Sequence, residues 1–242
     1  MKRVRLAGAA AAGGAVFHAL PALAPVFPPV AQLLRIPRRL DGTDGVVLTF
    51  DDGPHPQGTE AVLEILREAN ATAVFFLVGE QVEQRPGLGA EIAAAGHEIA
   101  LHCRRHRNLL RLTPAQVRDD LEQAAATISE ATGRALALHR PPYGIFSGPS
   151  LSIVRRRWQP LLWSRWGHDW SDRASPHSIA DEVTRDVTHG DVLLLHDSDA
   201  YSVEGSWRRT VAALPRILDE LSRRGLGTAS PSPQRVGLQA SG

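Results

Sequence analysis

Strand-length apolar runs alternate with helix-period segments through most of the 242 residues, and no other feature restricts the fold as much. Val46 to Phe50 reads as a buried strand running into the turn Asp51-Asp52-Gly53-Pro54. A helix is expected from Thr59 to Ala69, with Val62, Leu63 and Leu66 on one face, followed by a strand from Ala71 to Val78. Glu91 to Ala95 closes a short helix at Gly96, and Glu98 to His102 forms a third strand. Thr113, Pro114 and Gln116 have the spacing of a capping box with proline at the first helical position. The helix they open carries Val117, Leu121, Ala124 and Ile128 inward and stops at Gly133. Next come a strand at Leu136 to Arg140, a helix at Ser150 to Trp158, a strand at Pro160 to Trp166 and a helix at Ile179 to Thr188. Val192 to Leu195 is wholly apolar and reads as a parallel strand buried on both faces. The last helix covers Trp207 to Arg224, with Pro215 expected as a kink or a late restart. Such alternation implies parallel pairing in an α/β fold, as a closed or nearly closed (β/α) barrel or an open sheet.

Composition narrows the function classes. The formal net charge of +1 leaves no basic footprint for nucleic acid, and none is expected as a partner. One cysteine, Cys103, excludes an internal disulfide framework and cysteine-rich zinc modules. Any metal must therefore be held by histidine and carboxylate.

The first residues look like a targeting segment. Lys2, Arg3 and Arg5 precede a stretch from Leu6 to Leu34 with no charged Asp, Glu, Lys or Arg. Its length would suffice to span a bilayer, which takes roughly 20 apolar residues, although His18 and four prolines interrupt it. Ala22-Leu23-Ala24 resembles a signal-peptidase site, and Pro25 directly after it would hinder cleavage. The expectation is an exported protein, secreted or anchored in the cell membrane. A disordered Ala/Pro leader is the alternative.

In folds of this kind ligands sit at the carboxyl ends of the strands, and the polar residues gather there. Asp51 and Asp52 follow the first strand, His102 the third and Arg140 the next; Asp169 follows Trp163 to Trp166, and His196 ends the Leu run. Two carboxylates at an inner strand end repel and need a cation. His102 and His106 share one face if their segment is helical, and with Asp52 they complete a triad suited to zinc or a similar divalent ion. Asp51 is then a spare carboxylate beside a metal, which is what a hydrolase needs as a general base. Arg140-Pro141-Pro142-Tyr143-Gly144 is either a proline-stiffened loop or an arginine steering Asp51 by paired hydrogen bonds, with backbone N–H groups aimed at an oxyanion. His196 is either a capped core histidine or a general acid oriented by Asp169.

Thr49-Phe50-Asp51-Asp52-Gly53-Pro54, His102-x-x-x-His106, Arg140-Pro141-Pro142-Tyr143, Asp169-Trp170 and Leu194-Leu195-His196 together resemble the five ordered motifs of polysaccharide deacetylases, the NodB-type group known as carbohydrate esterase family 4. The resemblance covers about residues 45 to 228. It implies a distorted (β/α) barrel of about seven parallel strands and a divalent metal, usually zinc, with cobalt or another divalent ion as alternatives. It also implies hydrolysis of N-acetyl groups on an N-acetylglucosamine polymer of the chitin or peptidoglycan type. By that resemblance Asp52, His102 and His106 bind the metal, and Asp51 is the base oriented by Arg140. The Tyr143 amide holds the oxyanion, Asp169 tunes His196 as the acid, and Trp170 and Leu194 wall the acetate pocket.

Three residues depart from the family pattern. Cys103 stands for a usual Ser or Thr, Arg107 for a common proline, and Trp166 for an aspartate found in many members. A thiol braces a loop poorly and invites oxidation outside the cell. The expected organisation is a signal or anchor segment and linker over residues 1–38, a monomeric catalytic domain over 39–229 and a disordered tail over 230–242. Open alternatives are an O-acetyl esterase acting on xylan, another C–N hydrolase on the same scaffold, or a weakly active glycan-binding relic.

Overall fold

The computed structural model describes residues 13–231, so Lys2, Arg3 and Arg5 of the expected leader, and most of the expected tail, lie outside the described residues. Seven parallel strands form one curled sheet: β1 (Val47–Asp51), β2 (Val74–Val78), β3 (Glu98–Cys103), β4 (Leu138–His139), β5 (Gln159–Pro160), β6 (Arg165–Trp166) and β7 (Val192–His196). Their order is β5-β4-β3-β2-β1-β7-β6. Every residue of β1 and β2 is buried, as are four of the five in β7, because helices cover the outer face and apolar side chains fill the inner one. Phe50 and Phe75 stack between β1 and β2 with centroids 5.2 Å apart.

Beyond the helical residues 13–19, the α-helices among the described residues are α1 (Pro28–Leu33), α2 (Gly58–Glu68), α3 (Gly79–Gln84), α4 (Pro86–Ala94), α5 (Pro114–Thr132), α6 (Gly148–Val154), α7 (Pro176–Thr184) and α8 (Ser206–Arg223). The α5 boundaries follow from local chemistry: Thr113 and Gln116 form the expected capping box, and Gly133 ends the helix at φ +66°. Val117, Leu121, Ala124 and Ile128 all face the core. Two more capping boxes, at Ser147 with Ser150 and Ser175 with Ser178, start α6 and α7.

Three local expectations change. Pro160 to Trp166 is not one strand. Residues 159–161 pair with β4 and residues 164–166 with β7, so one short stretch joins the two edges of the sheet and all but closes the barrel. Pro215 does not restart the last helix, and α8 continues through it from Ser206 to Arg223. His102 and His106 are not on a helix: His102 belongs to β3, and the chain bends immediately after Cys103.

Strand register sets up the functional end. β1 pairs with β7 so that Asp51 stands opposite His196, and β3 pairs with β4 through Leu101 and His139. The N-terminal residues also join this body. Ala24, Val30, Ala31 and Ile36 are buried in the same core as the strands. No helix among the described residues is long and apolar enough to cross a membrane.

Candidate active site

A cavity of about 490 Å³ opens at the carboxyl ends of the strands. Asp51, Asp52, His102, His106, Tyr143, Trp170, Leu194 and His196 all line it, and Arg140 and Asp169 stand directly behind it. Every residue singled out from the sequence therefore converges on one place.

Asp52 sits at the turn leaving β1, in a left-handed conformation (φ +76°). Its Oδ1 lies 3.4 Å from His102 Nε2 and 3.3 Å from His106 Nε2, yet makes no hydrogen bond although it is buried. A tetrahedron with ligand bonds of about 2.1 Å has edges of about 3.4 Å, so these spacings fit three atoms sharing one cation better than an ion pair. The three ligand atoms lie within 4.8 Å of one another. Burial would raise the Asp52 carboxyl, but the close approach of the His102 imidazole and the charges of His196 and His106 hold it down to about 2. Burial lowers His106 to about 4, keeping its imidazole neutral, the form that ligates metal.

The loop carrying His106 is braced from α5. Buried Asp120 accepts from the Arg104 amide at 2.8 Å and from the Arg107 guanidinium at 2.6 Å. Arg107, at the position where the resemblance leads us to expect proline, thus ties the loop by charge. Arg107→Ala leaves the Asp120 carboxylate one partner short, and a loss of about 1–2 kcal/mol is expected in denaturant unfolding. Cys103 is fully buried, and burial with nearby Asp120 pushes its thiol well up. It behaves as a small core residue, and the expected susceptibility to oxidation is countered by that environment.

Arg140 is completely buried at the end of β4. Its Nη1 donates to Asp51 Oδ1 at 2.7 Å and to Thr49 Oγ1 at 2.8 Å, while Nε and Nη2 donate to the Leu161 and Leu162 carbonyls. The guanidinium lies 4.0 Å over the Phe76 ring. The arginine therefore holds Asp51 by one bond, not the expected pair, and its other donors are fixed to the closing stretch between β5 and β6.

Asp169 is fully buried and divided between three donors: His196 Nδ1 at 2.9 Å, the His196 amide at 2.7 Å and Thr210 Oγ1 at 2.8 Å. With Nδ1 so engaged, Nε2 is the ring nitrogen left for the cavity. Burial alone would lower His196, but the Asp169 charge and hydrogen bond, with Asp52 and Asp51 further off, raise it to about 10. It is a cation at neutral pH.

Several residues of the site escaped sequence reasoning. Tyr201 stacks on the His106 ring (4.4 Å, 10° between planes), and its hydroxyl donates to Glu80 at 2.5 Å. Trp163 lies tilted against Trp166, noted in the sequence only as a departure from the family pattern, and Trp166 meets Trp170 edge to face along one wall. Asp197, beside His196, is raised to about 7 by burial. Its carboxylate accepts from Thr59 and presses on Gly53, where a β-carbon would stand 2.5 Å from Oδ2. Gly53 is therefore required for close approach. Tyr201 and Asp197 lie in or before an irregular loop, where no hydrophobic period marks function.

Comparison with known proteins agrees with this geometry. The polysaccharide deacetylase family model matches residues 40–157. A chitooligosaccharide deacetylase from Bradyrhizobium sp. (strain ANU 289) is 36% identical over 203 residues, 81% of this chain and 92% of the relative. A peptidoglycan-N-acetylglucosamine deacetylase from Bacillus cereus is 34% identical over 184 residues, 74% of this chain and 83% of its own length. A family 4 carbohydrate esterase from Streptomyces lividans, solved with acetate, superimposes with a TM-score of 0.71 at 32% identity, covering 81% and 97% of the two chains.

Proposed function

The chain belongs to the polysaccharide deacetylase family, and from that premise we propose that it hydrolyses N-acetyl groups of an N-acetylglucosamine-containing glycan of the chitin or peptidoglycan type, releasing acetate. The observation that carries this reading is the separation of roles between adjacent carboxylates. Asp52 turns to His102 and His106, whereas Asp51 is held by Arg140 and kept out of that triad.

A divalent cation on Asp52, His102 and His106 would supply Lewis-acid polarisation of the acetamide carbonyl and acidify a water; two imidazoles and a carboxylate suit zinc, and also cobalt. Asp51 takes the proton of the water that adds to the carbonyl carbon. The Tyr143 amide donates to the oxygen that gains charge. His196 passes its Nε2 proton to the amide nitrogen as the C–N bond breaks, giving acetate and a free amine. Trp170 and Leu194 exclude water around the methyl group.

The deciding experiment is acetate release by the purified protein from chitooligosaccharides, peptidoglycan fragments and acetylated xylan. Release from an N-acetylated glycan, abolished by chelation and restored by zinc or cobalt, is expected. Release only from xylan would move the reaction to an ester, and metal binding without any release would leave a glycan-binding relic.

The charge state of His196 gives a second test. Its raised value means stability that is complete below its ordinary pKa near 6.5 and lost as pH rises through about 10. Imidazole NMR of the metal-free protein should show this titration, and a bound dication should move it down by adding positive charge to the site. Asp169→Asn should bring it toward the ordinary value and lower kcat by about 100-fold or more.

Export to the cell envelope is part of the proposal. It is supported by Lys2, Arg3 and Arg5 followed by a run without Asp, Glu, Lys or Arg to Leu34. Action as a monomer is the simplest assembly for a cavity built wholly from one chain.

A further inference from the structure

Residues 17–38 would, as a leader, make no specific contact with the catalytic end of the barrel, yet they do. His18 Nε2 lies 3.1 Å from the Leu110 carbonyl, four residues beyond His106. Phe17 covers Gly148, where a β-carbon would stand 2.9 Å from Phe17 Cε1. Arg38 Nε donates to the Trp163 carbonyl at 2.8 Å, and Arg155 donates to the Leu34 and Arg35 carbonyls. Between these ties Ala24 is fully buried, and Pro25 presses on Gly144.

Gly144 is a demanding place to press. Tyr143 and Gly144 both have left-handed backbones, at φ +60° and +70°. For tyrosine that conformation is strained and persists only if its surroundings impose it. Pro141 and Pro142 stiffen the approach from one side. On the other side a β-carbon at Gly144 would stand 2.6 Å from Trp163 Cη2 and 2.9 Å from Pro25 Cγ, so both rings pack directly on its α-carbon. Pro25 and Trp163 thus both bound the residue that follows Tyr143, whose amide is assigned to the oxyanion in the reading above.

We propose that residues 17–38 are a strap belonging to the catalytic unit, with Pro25 a positioning residue that holds the Tyr143-Gly144 backbone in its oxyanion-binding conformation. The inference rests on the deacetylase reading for its kinetic consequence only. It places any export cleavage before Phe17, and it moves the start of the working domain from residue 39 to about residue 17, the first residue of the strap in contact with the barrel.

The test uses the full chain with Pro25→Gly, with Pro25→Ala as the milder variant should the first fold poorly. Misplacing an oxyanion donor costs rate rather than binding, so kcat for acetate release should fall about tenfold, with KM and zinc affinity unchanged. Deuterium uptake at Gly144, whose N–H donates to the Pro141 carbonyl at 2.8 Å, should accelerate in the same variant, a readout independent of turnover. Leu33→Ser, on the strap's exposed side, should behave as wild type in both. Wild-type kcat and exchange in Pro25→Gly would overturn the proposal, as would a fully active exported protein beginning at Pro25. If wild-type protein releases no acetate while exchange at Gly144 still depends on Pro25, the deacetylase reading fails and the strap stands.

Discussion

Asp51→Asn should retain metal and fold while acetate release falls by about 1,000-fold, within the range that loss of a general base produces. Asparagine has the shape of aspartate, and its carbonyl oxygen can accept the Arg140 Nη1 hydrogen bond that Asp51 Oδ1 accepts at 2.7 Å. Arg140 also keeps Thr49, Leu161 and Leu162 as partners, so its buried charge is not stranded. What disappears is the capacity to take a proton from water. Asp52, not Asp51, approaches both histidines, so zinc titration should match wild type. A near-normal kcat in Asp51→Asn would reverse the assignment of the two carboxylates.

That division between neighbours was legible in the sequence because β1 is uncharged and, Thr49 apart, apolar until its final residue. A buried strand ending in two carboxylates can only be relieved by a cation, and the register of β1 on β7 then brings His196 level with Asp51. The two edges of the sheet were not legible. β5 and β6 are two residues each, and Leu161-Leu162-Trp163 between them reads as one strand. Only the approach of β4 to β7, a non-local event, shows that this stretch serves both. The His-x-x-x-His spacing suggested a helix, but convergence is achieved by a strand end and a bend tied to Asp120. The strap illustrates the same limit from the other side. Alanine, proline and no charge describe a leader and a packed coat equally well, and only contacts such as Pro25 on Gly144 separate them.

His102→Ala should remove metal binding, by more than the ~10–100-fold that loss of a ligand's outer partner costs, and turnover with it. His102 contributes one of three converging atoms and is almost fully buried. Alanine leaves Asp52 and His106 as an incomplete pair in a dry site, since the converging ligand atoms come from these three residues alone among the described residues. His139, the next buried histidine, packs against Phe146. Asp197 is committed to Thr59 and to the approach of Gly53. The metal-free fold should also change its acid response. Asp52 lowered to about 2 contributes stability that is present above its ordinary value near 3.8 and is lost as pH falls through about 2. Without the His102 imidazole 3.4 Å from Asp52 that lowering shrinks, so the acid unfolding midpoint of metal-free His102→Ala should move upward in pH. Calorimetric zinc titration checks the first effect and acid unfolding the second. Retained zinc affinity together with an unmoved acid midpoint would show that Asp52, His102 and His106 do not share a cation.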